Sequence, residues 1–351
     1  MVFFVMTIAS MHAPPWKILF ATGLPGGTYH SVALEYQAEL ARQGITMELL
    51  QTPGSPGVLR ALHDVKTHAV AGFVQGGIAR PEDQRDLESL GTVFYEPLWL
   101  FARDERCAPV CSLPEFIELL SRRVSIGGPD SGTQVLAALV LESLGIPQSD
   151  NWQRLSSMDA RDALLAGNID AVFLVDAWEA PGIRQLLADP AIRAMDYPIA
   201  DALIEVSPTL HHVVLPRGAR SFPLDLPPRD INLVAPKASL MVRQDLHPAI
   251  KRLLLEAMRR LHARSRMFTK SGEFPAPEAI GLRLSDVAQQ FYNRSEPFYY
   301  RFLPYWIADL IAVSVAMMVP VYALFGRLLA QLLTRRRASL KEISDAAQKP
   351  G

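Results

Sequence analysis

Cysteine is nearly absent. The chain of 351 residues has two, Cys107 and Cys111, both inside "CAPVC". Two cysteines this close cannot build a disulfide framework. Without a second pair they do not make a zinc site. They read as two surface thiols, or as one local disulfide if the domain lies in an oxidising compartment. An excess of charge of one sign is lacking too: 35 Lys and Arg face 36 Asp and Glu, for a net charge of −1. With no basic face before the C-terminal tail, nucleic acid is a poor partner.

The common catalytic signatures are also missing. There is no G-x-x-x-x-G-K-[ST] phosphate loop, and Gly23, Gly26 and Gly27 do not space as G-x-G-x-x-G. No G-x-S-x-G elbow surrounds Ser55 or Ser131. No H-E-x-x-H occurs, and His211 and His212 lack a partner at ligand spacing. Asp130 beside Ser131 has no histidine near it in sequence, so a base–nucleophile pair there is a weak reading. No cofactor and no metal are expected, and the chain does not read as an enzyme. A membrane-bound serine hydrolase using Ser131 or Ser55 is the alternative from another class.

What is present is a globular composition, 49% hydrophobic and 20% charged, on a length suited to two domains. Strand and helix patterns alternate. Strands are expected at 16–21, 45–51, 69–74, 92–102, 124–126, 171–175 and 231–242, the last interrupted by Pro236. Helices are expected at 29–43, 58–63, 113–121, 159–166 and 248–264. The alternation predicts an α/β fold of parallel sheets covered by helices.

One device occurs twice. "KILFATGLPGGTYHSVALEYQAEL" and "RVSIGGPDSGTQVLAALVLESLGI" each run from an apolar strand through a glycine-and-proline loop ending in Gly-Thr into a helix. A helix start offers unpaired amides and the positive end of the dipole. Glycine lets a ligand approach that backbone, and Thr or Ser adds a hydroxyl. Each loop therefore suits an anionic oxygen, such as a carboxylate. "TPGS" and "VQGG" stand at further strand ends. Two such loops facing each other across a cleft form a clamp with two jaws.

The tail carries the longest uncharged run. Leu310 to Gly326 holds no charge over 17 residues, flanked by Tyr305, Trp306 and Arg327. A transmembrane helix over 305–333 is expected. Arg335, Arg336, Arg337 and Lys341 follow it, which predicts a cytoplasmic basic tail over 334–351. The globular part then lies outside the inner membrane, in the periplasm. Residues 1–13 carry an apolar run with no basic residue before it and read as the remnant of an export signal or an N-terminal anchor, with the true start upstream.

"ATGLPGGTYHSVALEYQAELARQGITMELLQTPGSPGVLRAL", "AGFVQGG", "SIGGPDSGTQVLAALVLESLGI" and "DALLAGNIDAVFLV" resemble the TAXI solute receptors of TRAP (tripartite ATP-independent periplasmic) transporters. "PFYYRFLPYWIADLI" resembles the subset with a C-terminal membrane anchor. The resemblance implies a type II periplasmic-binding-protein fold, two α/β lobes around a hinge. Lobe 1 would span 14–100 and 235–300, and lobe 2 would span 101–234. It implies a small organic anion as ligand, glutamate-like or dicarboxylate-like, and TRAP permease subunits as partners. A ligand-sensing membrane receptor is the alternative among binding proteins. Carried over by position, the pocket would use Gly27, Thr28, Tyr29, Ser55 and Gln75 from one lobe. Ser131, Gly132 and Thr133 would oppose them, with Asp176 and Trp178 at the end of the next strand. Tyr95 and Trp99 would stack on the ligand or, more in keeping with their settings, pack the core.

Overall fold

A computed structural model describes residues 14–103, 111–294, 322, 326 and 327. Contacts divide the chain into two units, Pro15–Ser295 and a second made of Met1–Pro14 with Glu296–Gly351. The expected export remnant, transmembrane span and basic tail lie outside the described residues, apart from Tyr322, Gly326 and Arg327, which are helical. Among the described residues no helix is long and apolar enough to cross a membrane.

Within Pro15–Ser295 the first part runs β1 (Lys17–Thr22), α1 (Thr28–Ala41), β2 (Thr46–Gln51), α2 (Ser55–His63), β3 (Ala69–Gln75) and β4 (Leu87–Tyr95). The middle part runs β5 (Leu98–Ala102), α3 (Leu113–Leu120), β6 (Val124–Ser125), α4 (Gly132–Ser143), β7 (Trp152–Gln153) and α5 (Ser157–Leu165). It continues with β8 (Ala171–Val175), α6 (Pro181–Ala188), β9 (Arg193–Ala194), α7 (Ala200–Val206) and β10 (Leu210–Leu215). Then β11 (Ile231–Arg243), α8 (Pro248–His262) and α9 (Asp286–Tyr292) complete the order.

The architecture is mixed α/β. In the first sheet β1 lies parallel to both β2 and β3. The C-terminal half of β11 runs antiparallel to β3 and β4. In the second sheet β6 is parallel to β7 and β8, while β8 is antiparallel to β5. The N-terminal half of β11 pairs with β10 and touches β5 at Val234–Leu98. The 13-residue β11 thus serves both sheets, so the all-parallel expectation gives way to a mixed one.

The helical faces follow the apolar periodicity. On α1 the buried positions include 29, 32, 33, 36 and 40, the i, i+3, i+4, i+7 stripe of a half-buried helix. They meet Phe20 and Phe73, whose rings stand edge-on at 5.1 Å. Tyr36 pairs through its hydroxyl with His262 at 2.9 Å, and burial holds that imidazole neutral by lowering its pKa to about 3. Close approach explains Gly72 on β3. A Cβ there would stand 2.5 Å from Val58 of α2 and 2.7 Å from the Ala21 carbonyl of β1. The second sheet has its own core of residues between Leu98 and Ala235, including Trp99, Phe101, Phe116 and Phe173. Cys111 belongs to that core and is disulfide-bonded, which replaces the surface-thiol reading; Cys107 lies outside the described residues.

Candidate functional site

The ends of the strands in both sheets open onto one cavity of about 320 Å³. From the first sheet come the loop after β1 (Gly23–Tyr29), the loop after β2 (Pro53–Ser55), Gln75 at the end of β3, and Glu96. From the second come Gly128–Thr133 after β6, Ser156–Met158 and Arg161 after β7, Leu174–Asp176 at the end of β8, and the start of α6. Ligands in open α/β sheets bind at this carboxyl edge, because loops there can vary without disturbing the sheet.

The first glycine loop is tied to the second sheet. The Thr28 amide donates to Asp176 Oδ1 at 2.9 Å, and the Thr28 hydroxyl donates to the same oxygen. Ala177 returns a backbone donor to Thr28 Oγ1 at 3.1 Å. Asp176 is itself held in place by Trp99, whose Nε1 donates to the Asp176 carbonyl at 2.9 Å. The amide that the sequence offered to a ligand thus already serves a protein carboxylate. Burial raises the Asp176 pKa to about 6; the bonds from Thr28 and Ala177 pull the other way.

Behind that latch lies a buried polar chain. Tyr29 donates its phenolic proton to Glu96 Oε2 at 2.6 Å and stands 3.2 Å from Ser55 Oγ. With the tyrosine proton committed, Ser55 is the donor in the second contact, while its oxygen accepts the Gln75 amide at 2.8 Å. Burial pushes the Glu96 carboxyl up to about 8, with the bond from Tyr29 lowering it and Asp176 raising it further. Burial also raises the Tyr29 hydroxyl well above its ordinary value.

The second glycine loop is built differently. Ser131 caps α4, accepting the Gln134 amide at 3.2 Å and donating to the Gly128 carbonyl at 2.7 Å. Thr133 Oγ1 accepts the Val175 amide at 3.0 Å and so fastens the helix start to the end of β8. The first-turn amides of Gly132 and Thr133 have no acceptor inside the helix. Gly132 lies close to the opposite wall: a Cβ there would stand 2.2 Å from Gln75 Oε1, so that side chain would have to move to admit one. Gln75 Nε2 donates to the Gly132 carbonyl at 3.4 Å, and Arg60 reaches Asp130 at 3.0 Å at the exposed rim.

Of the residues selected from sequence, Gly27, Thr28, Tyr29, Ser55, Gln75, Ser131, Gly132, Thr133 and Asp176 all line this cavity. Trp178 does not; it packs on Trp99 with ring centroids 6.3 Å apart, under the Arg184 guanidinium. Tyr95 also lies outside the lining; it bonds Glu273 at 2.9 Å and meets His211 and Phe274 edge-on. Two charged residues were missed. Glu96 stands in "YEPLW", where the pattern read as one uninterrupted strand; the break at Glu96 and Pro97 between β4 and β5 was the available signal. Arg161 sits at the middle of α5 and donates Nε and Nη2 to Asp162 Oδ1 at 2.9 and 2.8 Å.

The site can bind but is poorly equipped for nucleophilic attack. Of the four serines on its wall, Ser55, Ser131 and Ser156 spend their hydroxyls on structural hydrogen bonds, and no histidine is among the described residues that line the cavity. Among the described residues no group of three or more His, Cys, Asp or Glu is placed to hold a metal ion.

A family model described as the NMT1-like family matches residues 20–266. Solved structures are similar at low identity. The periplasmic aliphatic sulphonate binding protein SsuA from Escherichia coli is 15% identical, with 71% of this chain and 73% of that chain covered and a TM-score of 0.46. A structure described as a periplasmic transporter is 13% identical, covering 80% and 93%, with a TM-score of 0.49. A protein from Xanthomonas citri bound to ATP is 14% identical, covering 80% and 100%, with a TM-score of 0.45.

Proposed function

The chain belongs to the NMT1-like family, and from that premise we propose that it is an extracytoplasmic solute-binding protein. The observation that carries this reading is the convergence of the two glycine loops, one from each sheet, on a single cavity. The solute is a small organic anion whose carboxylate rests on the first-turn amides of α4, with the Arg161 guanidinium on the same wall. Thr28 and Asp176 then act as the latch that closes the jaws over it. The segments 14–100 with 235–300 and 101–234 act as two lobes, with Glu96–Pro97 and the middle of β11 as the crossings that flex. The disulfide at Cys111 fits an oxidising compartment such as the periplasm. The uncharged segment at 310–326 fits a membrane anchor, which would hold the receptor beside TRAP-type permease subunits.

The test is a thermal-shift screen of small carboxylates on the full chain, followed by titration calorimetry. A ligand that binds only the folded state raises the melting temperature. Arg161→Ala is expected to weaken the best carboxylate roughly tenfold or more, as loss of a charge-assisted hydrogen bond does. Thr28→Ala is expected to weaken it less, by about threefold to tenfold, because it loosens closure rather than the seat. A panel with no stabilising carboxylate, or turnover of an ester by the purified chain, would overturn the reading.

A further inference from the structure

A second cavity, of about 300 Å³, lies away from the cleft and shares no lining residue with it. Its walls come from the end of α6, strand β9 and the segment that turns through Ser221–Leu226 before β11. Three arginines line it: Arg193, Arg220 and Arg229. None of the three forms an ion pair among the described residues. Arg220 Nη2 donates to the Ala188 carbonyl at 2.5 Å, which fixes that guanidinium at the end of α6. The one acid on the wall, Asp196, is turned to Asn232, accepting its amide at 2.6 Å and its side-chain nitrogen at 3.0 Å. The remainder of the lining is largely apolar, with Leu187, Met195 and Leu226 among it.

Three cationic side chains on one cavity wall, with no carboxylate paired to them among the described residues, leave a local excess of positive charge. An anion relieves it, and planar guanidinium forks suit carboxylate, sulfonate or phosphate oxygens. The apolar wall suits a hydrocarbon or aromatic body attached to that anion, and the volume lies at the small end of ligand cavities. Beside the cavity, the same turn carries Phe222 and Leu224 with 85% and 68% of their surface exposed.

We propose that this cavity is a second binding site, separate from the cleft, for an amphipathic anion: a phosphate, sulfonate or carboxylate group joined to an apolar body. The anion contacts Arg193, Arg220 and Arg229, and the body lies against Leu187, Met195 and Leu226. Such a ligand reaches the site either as a free solute or as a lipid headgroup whose acyl chains meet Phe222 and Leu224.

Calorimetry on the full chain with phenyl phosphate, inorganic phosphate and dihexanoyl phosphatidylglycerol below its micelle concentration tests this. Phenyl phosphate is expected to bind roughly tenfold more tightly than inorganic phosphate, since the ring buries apolar surface that phosphate lacks. The double variant Arg193→Ala/Arg229→Ala is expected to weaken phenyl phosphate roughly tenfold or more, with an unchanged melting temperature because both changes are near the surface. Arg161→Ala, in the cleft, is expected to leave it unchanged. Tighter binding of the short-chain lipid than of phenyl phosphate identifies a membrane source, and the reverse a free solute. Loss of phenyl phosphate binding with Arg161→Ala but not with the double variant would place it in the cleft and overturn the proposal. So would equal affinity for phenyl phosphate and inorganic phosphate, or no binding of any of the three probes.

Discussion

The two glycine loops look alike in sequence and do different work in the structure. The loop before α1 is capped by Gly27, with no side-chain cap, and its first amide is satisfied from the other sheet by Asp176. The loop before α4 is capped by its own Ser131 and fastened to its own sheet through Thr133. The first helix start thus has its amide satisfied across the cleft, whereas the second has its cap and its Thr133 bond within its own sheet. The proposed clamp would use this asymmetry, with a seat on one side and a conditional contact on the other. Two equally self-sufficient loops would have no reason to close.

Crowding around one glycine from each loop gives the largest expected contrast. Gly127 sits at φ +93°, and a Cβ there would meet the Gln134 amide and Thr133 Cβ at 2.8 Å. Gly127→Ala is expected to destabilise by about 3 kcal/mol, from left-handed strain plus overpacking. Gly26 in the first loop has nearly the same φ, +91°, with nothing within 4 Å of a Cβ. Gly26→Ala is expected to cost only about 1 kcal/mol, from backbone strain alone. Urea unfolding of both variants measures the difference, and equal losses would erase the distinction between a rigid and an open loop.

A second contrast lies in the two buried carboxyls. Asp176 rises from an ordinary 3.8 to about 6, and Glu96 from 4.5 to about 8. The folded chain therefore holds protons that the unfolded chain has released. The stabilisation from each is complete below its ordinary value and is lost as pH rises towards its folded value. For Asp176 the loss is spent by about pH 6, while for Glu96 it continues to about pH 8. Glu96→Gln, which keeps an acceptor for Tyr29, is expected to flatten the decline in unfolding midpoint between about pH 5 and about pH 8. A decline as steep as in the parent chain would remove Glu96 from the buried network.

The smallest effect concerns the cap. Ser131→Ala is expected to lower stability by about 1 kcal/mol through loss of the N-cap, with Ser131→Asp recovering most of it. Failure of the aspartate to recover stability would mean that the bond to the Gly128 carbonyl, not the cap, is what matters.

Much of the fold was legible because it rests on local periodicity. The buried stripe of α1 at 29, 32, 33, 36 and 40 was written in the sequence, as were β3, β8 and α8 to within a residue or two. What was not legible depends on distant neighbours. Pro236 read as a break, yet β11 runs through it, because its carbonyl accepts the Glu96 amide at 3.0 Å where the strand passes between sheets. The run 92–102 read as one strand, but Pro97 has no amide to donate and the chain changes sheet there. The same holds for the site. Both Gly-Thr loops were visible, since backbone chemistry at a helix start is local. That Asp176 would occupy the first loop's amide, or that Glu96 would be buried beneath Tyr29, follows from contacts 148 and 67 residues apart.

The most direct measurement is the distance between spin labels at Leu34 and Val135, exposed positions on the helices that the two loops open, with and without the best carboxylate from the screen. The clamp predicts that ligand draws a broad distribution into one short distance, and that Asp176→Asn broadens it again. A distribution that neither ligand nor the Asp176 variant alters would contradict closure of two jaws on a shared guest.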